Sequence, residues 1–72
     1  MGIIQGMIRI NGEGAPLSAT TLAELLAQHG VEADGKGVAV ALNGHVVRRQ
    51  AWVETRLAAG DDVEIVRVRQ GG

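Results

Sequence analysis

Only one stretch of this chain has the hydrophobic spacing of a long helix, and it lies between stretches patterned as short strands and turns. Thr21 followed three residues later by Glu24 is a capping-box pattern, and Leu22, Leu25, Leu26 and His29 fall at i, i+3, i+4 and i+7 on one face. Gly30 is placed to end that helix in a left-handed conformation. One amphipathic helix cannot bury its own leucine face, so the flanking strands must form a sheet on which it can lie.

Those flanks read as strands. Met7 to Asn11 alternates, with Ile8 and Ile10 on one side, and runs into Asn11-Gly12-Glu13-Gly14, a turn. A second strand is expected over Ala15 to Ala19, where Pro16 has no N–H for a ladder and suits an edge or a strand start. After the helix and a polar loop from Val31 to Gly37, Val38-Ala39-Val40-Ala41-Leu42 is the most apolar run in the chain, as suits a covered strand. Asn43-Gly44 signals a type I′ hairpin into a strand around His45 to Arg48. Gln50 to Leu57 suits a helical turn or two carrying Trp52 over one end of the core, Gly60-Asp61-Asp62 is a turn, and Val63 to Arg69 is the last strand. The predicted fold is α+β, a mixed sheet of four to five strands crossed by one main helix.

Composition narrows the function. A chain of 72 residues is one domain at most, and one of that size buries only about 60% of the surface its unfolded chain exposes. With 46% hydrophobic and 21% charged residues it is too apolar for a disordered segment, and no apolar run suits a bilayer span. A formal net charge of -1 offers no basic stripe for nucleic acid, and Phe and Tyr, the usual base-stacking side chains, are absent. Cys is absent too, which excludes disulfides and thiolate chemistry. The first residues carry neither a basic region nor an apolar stretch of signal-peptide length, so a cytoplasmic protein is expected.

The end of the chain loses its side chains: Val66-Arg67-Val68-Arg69-Gln70 is followed by Gly71-Gly72. Residues without Cβ can pass through a narrow channel and present an unhindered carboxylate, and a frayed terminus is the bland alternative.

Five blocks then occur in a familiar order: Met7-Ile8-Arg9-Ile10-Asn11-Gly12-Glu13; Thr21-Leu22-Ala23-Glu24-Leu25-Leu26; Gly37 to Gly44 with Val46-Val47; Arg49-x-x-Trp52; and Gly60 to Val66 with the terminal Gly71-Gly72. In these the chain resembles the ThiS-type sulfur carriers of thiamine biosynthesis, members of the ubiquitin-like β-grasp family, from Met7 to Gly72. The Arg-x-x-Trp spacing favours the thiamine carriers over their molybdopterin-synthase relatives. The resemblance implies a β-grasp domain over residues 7–72 with the last strand central and a flexible tail from about residue 67. Residues 1–6 are then an N-terminal extension or an alternative start.

The resemblance also implies a chemistry. A free carboxylate has no adequate leaving group, so an E1-like adenylating enzyme would use ATP and magnesium to convert the Gly72 carboxylate into an acyl-adenylate. Sulfur from a donor such as a cysteine desulfurase would displace AMP to leave a thiocarboxylate, and thiazole synthase would take that sulfur. The carrier, a monomer, would be a protein co-substrate and not an enzyme, binding no cofactor or metal itself. Gly71 and Gly72 would thread the partner's channel. Val47, Val66 and Val68 would supply apolar contact, with Arg67 and Arg69 meeting acidic groups or nucleotide phosphates.

Three other readings stand beside this one. The same activated terminus could acylate lysine amines, making the chain a ubiquitin-like protein modifier, and the basic Arg67-Val68-Arg69-Gln70 run resembles the arginine-rich tail of ubiquitin. A molybdopterin-synthase-type sulfur carrier is the nearer alternative. A hydrolase built on His29 or His45 with Asp61, Asp62 or Glu64 lacks a Ser-His-Asp order or a phosphate-binding glycine loop, and the acidic run lacks the spaced ligands of a calcium loop.

Overall fold

Two Asn-Gly pairs decide where the sheet folds back on itself. The computed structural model describes residues 6–32 and 34–68. Asn11 and Gly12 have φ of 52° and 84°, and Asn43 and Gly44 have 52° and 85°. Positive φ at both central residues is the type I′ geometry, whose twist matches that of the strands it joins. The first pair connects β1 (Met7–Ile10) to β2 (Glu13–Pro16), and the second connects β3 (Val38–Leu42) to β4 (His45–Val46). The second strand thus starts at Glu13, two residues earlier than expected, because the turn needs only Asn11 and Gly12. Gly14 lies within the ladder opposite Arg9, and Pro16 sits opposite Met7 on an edge strand, where its missing N–H costs no pairing.

The helix α1 (Leu22–Gln28) is capped at both ends as its sequence requires. Thr21 Oγ1 accepts from the Glu24 N–H at 3.2 Å, and Glu24 Oε1 accepts from the N–H groups of Thr21 and Thr20. The next orphan donors, on Leu22 and Ala23, bond to the carbonyls of Thr55 and Trp52. At the other end the Gly30 N–H reaches the Ala27 carbonyl and the Val31 N–H reaches the Leu26 carbonyl, a Schellman motif with Val31 and Leu26 both buried. His29 is the C-cap and is exposed, so the apolar face ends with Leu26 instead of continuing to His29.

β5 (Asp62–Arg67) completes a five-stranded sheet in the order β2-β1-β5-β3-β4, with β5 parallel to β1 and antiparallel to β3. This mixed sheet with a central last strand and a single helix is the β-grasp arrangement. Ile8, Val40 and Val63 face Leu22, Leu25 and Leu26, and Leu17, Val31 and Trp52 close the rim of the core. The segment after β4 is a 3-10 turn, Arg49–Ala51, that delivers Trp52 to 5% exposure, with the indole Nε1 donating to the Val47 carbonyl at 3.0 Å. A lone large aromatic can therefore be buried without leaving its donor unpaired.

β5 is also held by side chains from both turns. Asn11 accepts from the Ile65 N–H at 2.7 Å and donates to the Ile65 carbonyl at 3.3 Å. Asn43 accepts from the Asp62 N–H at 2.9 Å and donates to Asp61 Oδ1 at 3.0 Å. Before β1, the Gly6 carbonyl accepts from the Leu17 N–H at 2.8 Å, so backbone pairing reaches one residue ahead of Met7.

Candidate functional site

Side chains alternate across β5, so its two faces do different work. Val63 and Ile65 point to the core and Arg67 follows them on the helix side, where its Nη2 donates to the His29 carbonyl at 2.8 Å. That carbonyl lies at the C-terminus of α1, a place where cationic donors are favoured. Val66 projects from the opposite, uncovered face at 56% exposure, and Val68 beyond the strand is 55% exposed. The strand runs to Arg67, and the Val68 N–H is still tied to the Gly37 carbonyl, so the chain is held through residue 68. Arg69, Gly71 and Gly72, the remaining site residues expected from the sequence, lie outside the described residues.

The open face of the sheet near this exit carries small apolar side chains beside one carboxylate, Glu64. Val66 pairs with Ala39 and Glu64 with Ala41 across β5 and β3, and Ala41 pairs with Val46 of β4. Ala39, Val46 and Val66 are all exposed, Val46 at 78%. Val47 does not belong to this surface: it is half-buried and packs against the core, its N–H bonded to the Val40 carbonyl. The exposed valine of that strand is Val46. The sequence held the signal for it, since a two-residue Asn43-Gly44 turn places Val46 opposite Ala41, which alternates with the inward Val40 and Leu42.

The groups considered for acid–base chemistry are scattered or engaged. His29 and His45 are exposed, and Asp61 accepts from Asn43 and from the Ala58 N–H within its turn. Among the described residues there is no cluster of three or more His, Asp or Glu that could hold a metal ion, and no helix long and apolar enough to cross a membrane. Up to Val68, the described chain leaves the sheet beside the exposed Ala39, Val46 and Val66, with Arg67 anchored to the end of α1 on the other face.

Comparison with known proteins agrees with this geometry over nearly the whole chain. The model of the ThiS family matches residues 8–72. The sulfur carrier protein ThiS of Thermus thermophilus is 44% identical over 66 residues, which is 92% of this chain and 100% of that protein. A crystal structure of the thiamine biosynthesis protein ThiS from Geobacter metallireducens superimposes with a TM-score of 0.74 at 32% identity, covering 92% of this chain and 99% of that one. A solution structure of a thiamine biosynthesis protein from the same organism gives 0.72 at 31% identity, covering 92% and 87%.

Proposed function

The chain belongs to the ThiS family, and on that premise we propose that it is a sulfur carrier whose cargo rides as a thiocarboxylate on the terminal carboxyl group of Gly72. An E1-like enzyme transfers AMP from ATP to that carboxylate and releases pyrophosphate, turning an oxide leaving group into AMP. A sulfur nucleophile from a donor such as a cysteine desulfurase then displaces AMP, and thiazole synthase takes the sulfur for the thiazole of thiamine. The carrier acts in the cytoplasm as a monomeric co-substrate. It supplies the carboxyl group and a docking face, and its partners supply acid, base and magnesium.

The observation that carries this reading is the family match, which spans the folded domain and runs through Gly72. The geometry is compatible with it. Beyond Val68 four residues remain, and at about 3.5 Å per extended residue Gly72 can stand up to ~14 Å from the sheet. The Val46, Val66 and Ala39 surface beside that exit can take an apolar partner while the terminus enters a channel.

Intact mass of protein from cells grown without thiamine is the direct test, with a fraction heavier by the difference between sulfur and oxygen expected. Deleting Gly72 moves the reacting carbon by about 3.5 Å, and about 1 Å of misplacement can cost roughly a hundredfold in rate. ATP–pyrophosphate exchange with the adenylating partner should therefore be nearly abolished while thermal unfolding is unchanged. Exchange at the parental rate would remove Gly72 as the site.

A further inference from the structure

The last two described residues are held by contacts that the sheet does not require. The β3–β5 ladder ends at the pair Val38 and Arg67. Beyond it, the Val68 N–H donates to the Gly37 carbonyl at 2.6 Å, and the Arg67 guanidinium donates to the His29 carbonyl at 2.8 Å. The approach of Gly37 depends on its having no side chain: its φ is +69°, and a Cβ there would stand 3.1 Å from the Val68 carbonyl oxygen. Gly37 is placed in turn by Gly35, whose carbonyl accepts from the Val38 N–H and whose N–H reaches the Glu32 carbonyl. Gly35 lies flat against the Arg49–Trp52 element. A Cβ on it would meet Arg49 Cδ at 2.6 Å and Trp52 Cη2 at 2.9 Å.

A line of close contacts therefore runs from the buried indole of Trp52, through Gly35 and Gly37, to the backbone of Val68, with Arg67 tying the same point to the end of α1. We propose that Gly37 and Arg67 are positioning residues that clamp the root of the C-terminal arm, with Arg49 and Trp52 bracing the loop behind them. This rests on the sulfur-carrier reading, in which the terminus must arrive at one place in a partner's active site. The sheet has its own ladders on both sides of β5, and Arg67 is exposed, so the clamp adds little to the fold. What it adds is a defined point and direction from which residues 69–72 leave. Arg67 then acts inward on its own helix and not outward on a partner.

The test is steady-state ATP–pyrophosphate exchange with the purified adenylating partner, using the full chain and its Arg67→Met, Arg67→Lys and Gly37→Ala variants, with unfolding curves for each. Methionine keeps the length of the side chain and removes its donors, whereas lysine can still donate to the His29 carbonyl. Arg67→Met should lower kcat by about tenfold, well inside the penalty for ångström-scale misplacement. It should leave KM for the carrier within about twofold, because the docking face is untouched. Arg67→Lys should recover most of that kcat, and Gly37→Ala should fall with Arg67→Met. Alanine at a φ of +69° is strained, so Arg67→Met decides the matter if Gly37→Ala unfolds. Parental kcat in Arg67→Met overturns the clamp, and so does a rise in KM with kcat unchanged, which would make Arg67 a partner contact. The chain lacking Gly72 is the control: its activity would instead bring down the sulfur-carrier reading itself.

Discussion

Replacing Trp52 by alanine should remove a large part of the stability of this domain. The side chain is 5% exposed, packs in the same cluster as Leu22, Leu25 and Leu26, and its Nε1 donates to the Val47 carbonyl at 3.0 Å. Burial of a tryptophan lost to alanine costs about 3–5 kcal/mol, and the broken hydrogen bond adds about 1 kcal/mol. At ~0.05–0.15 kcal/mol per residue a chain of this length has about 4–11 kcal/mol in all. Trp52→Ala should thus leave it marginal or unfolded at room temperature. Urea denaturation followed by far-UV circular dichroism is the suitable assay, because Trp52 is the only aromatic residue and its fluorescence vanishes with it. Trp52→Phe keeps most of the apolar contact and loses the donor, so it should sit between the two, about 1–3 kcal/mol below the parent. If Trp52→Ala unfolds within about 0.5 kcal/mol of the parent, a shift ordinary for surface changes, the assignment of the indole as the brace of the core is wrong.

Two further predictions test particular contacts. Asn11→Gly preserves a type I′ turn but removes both hydrogen bonds to Ile65, so it should cost about 1–2 kcal/mol in chemical denaturation; no loss would mean that Asn11 serves the turn alone. Val46→Asp, on the exposed face, should leave the unfolding midpoint nearly unchanged and weaken adenylating-partner binding at least tenfold by titration calorimetry, whereas Val47→Asp should destabilise the fold by about 1–3 kcal/mol by setting a charge on a half-buried side chain packed against the core. The reverse pattern would exchange the roles assigned to these neighbours.

Local patterns were enough to set the elements of this protein. The Thr21–Glu24 box, the leucine spacing and Gly30 specify a helix through contacts no more than a few residues apart, and each Asn-Gly pair specifies a hairpin because its φ values suit few other residues. The order of elements and the terminal Gly71-Gly72 likewise need only the chain itself. The start of β2 at Glu13 is not legible locally, because Gly12, Glu13 and Gly14 all suit a turn. Only pairing with β1 shows that the turn closes in two residues. Val46 takes the exposed face and Val47 the inner one because the two-residue Asn43-Gly44 turn pairs Val46 with Ala41, a register the hairpin itself carries. Other features belong to the tertiary structure alone. Asn11 and Ile65, Arg67 and His29, and Gly35 and Trp52 are brought together by long-range packing, which no local periodicity encodes. Which segments could be helix, turn and strand is settled within a few residues of backbone, and so is legible along the chain. The central place of β5 follows the expectation drawn from the family resemblance, whereas the contacts that hold its end at Val68 are set by long-range packing, because Gly37 and His29 are far from it in the chain.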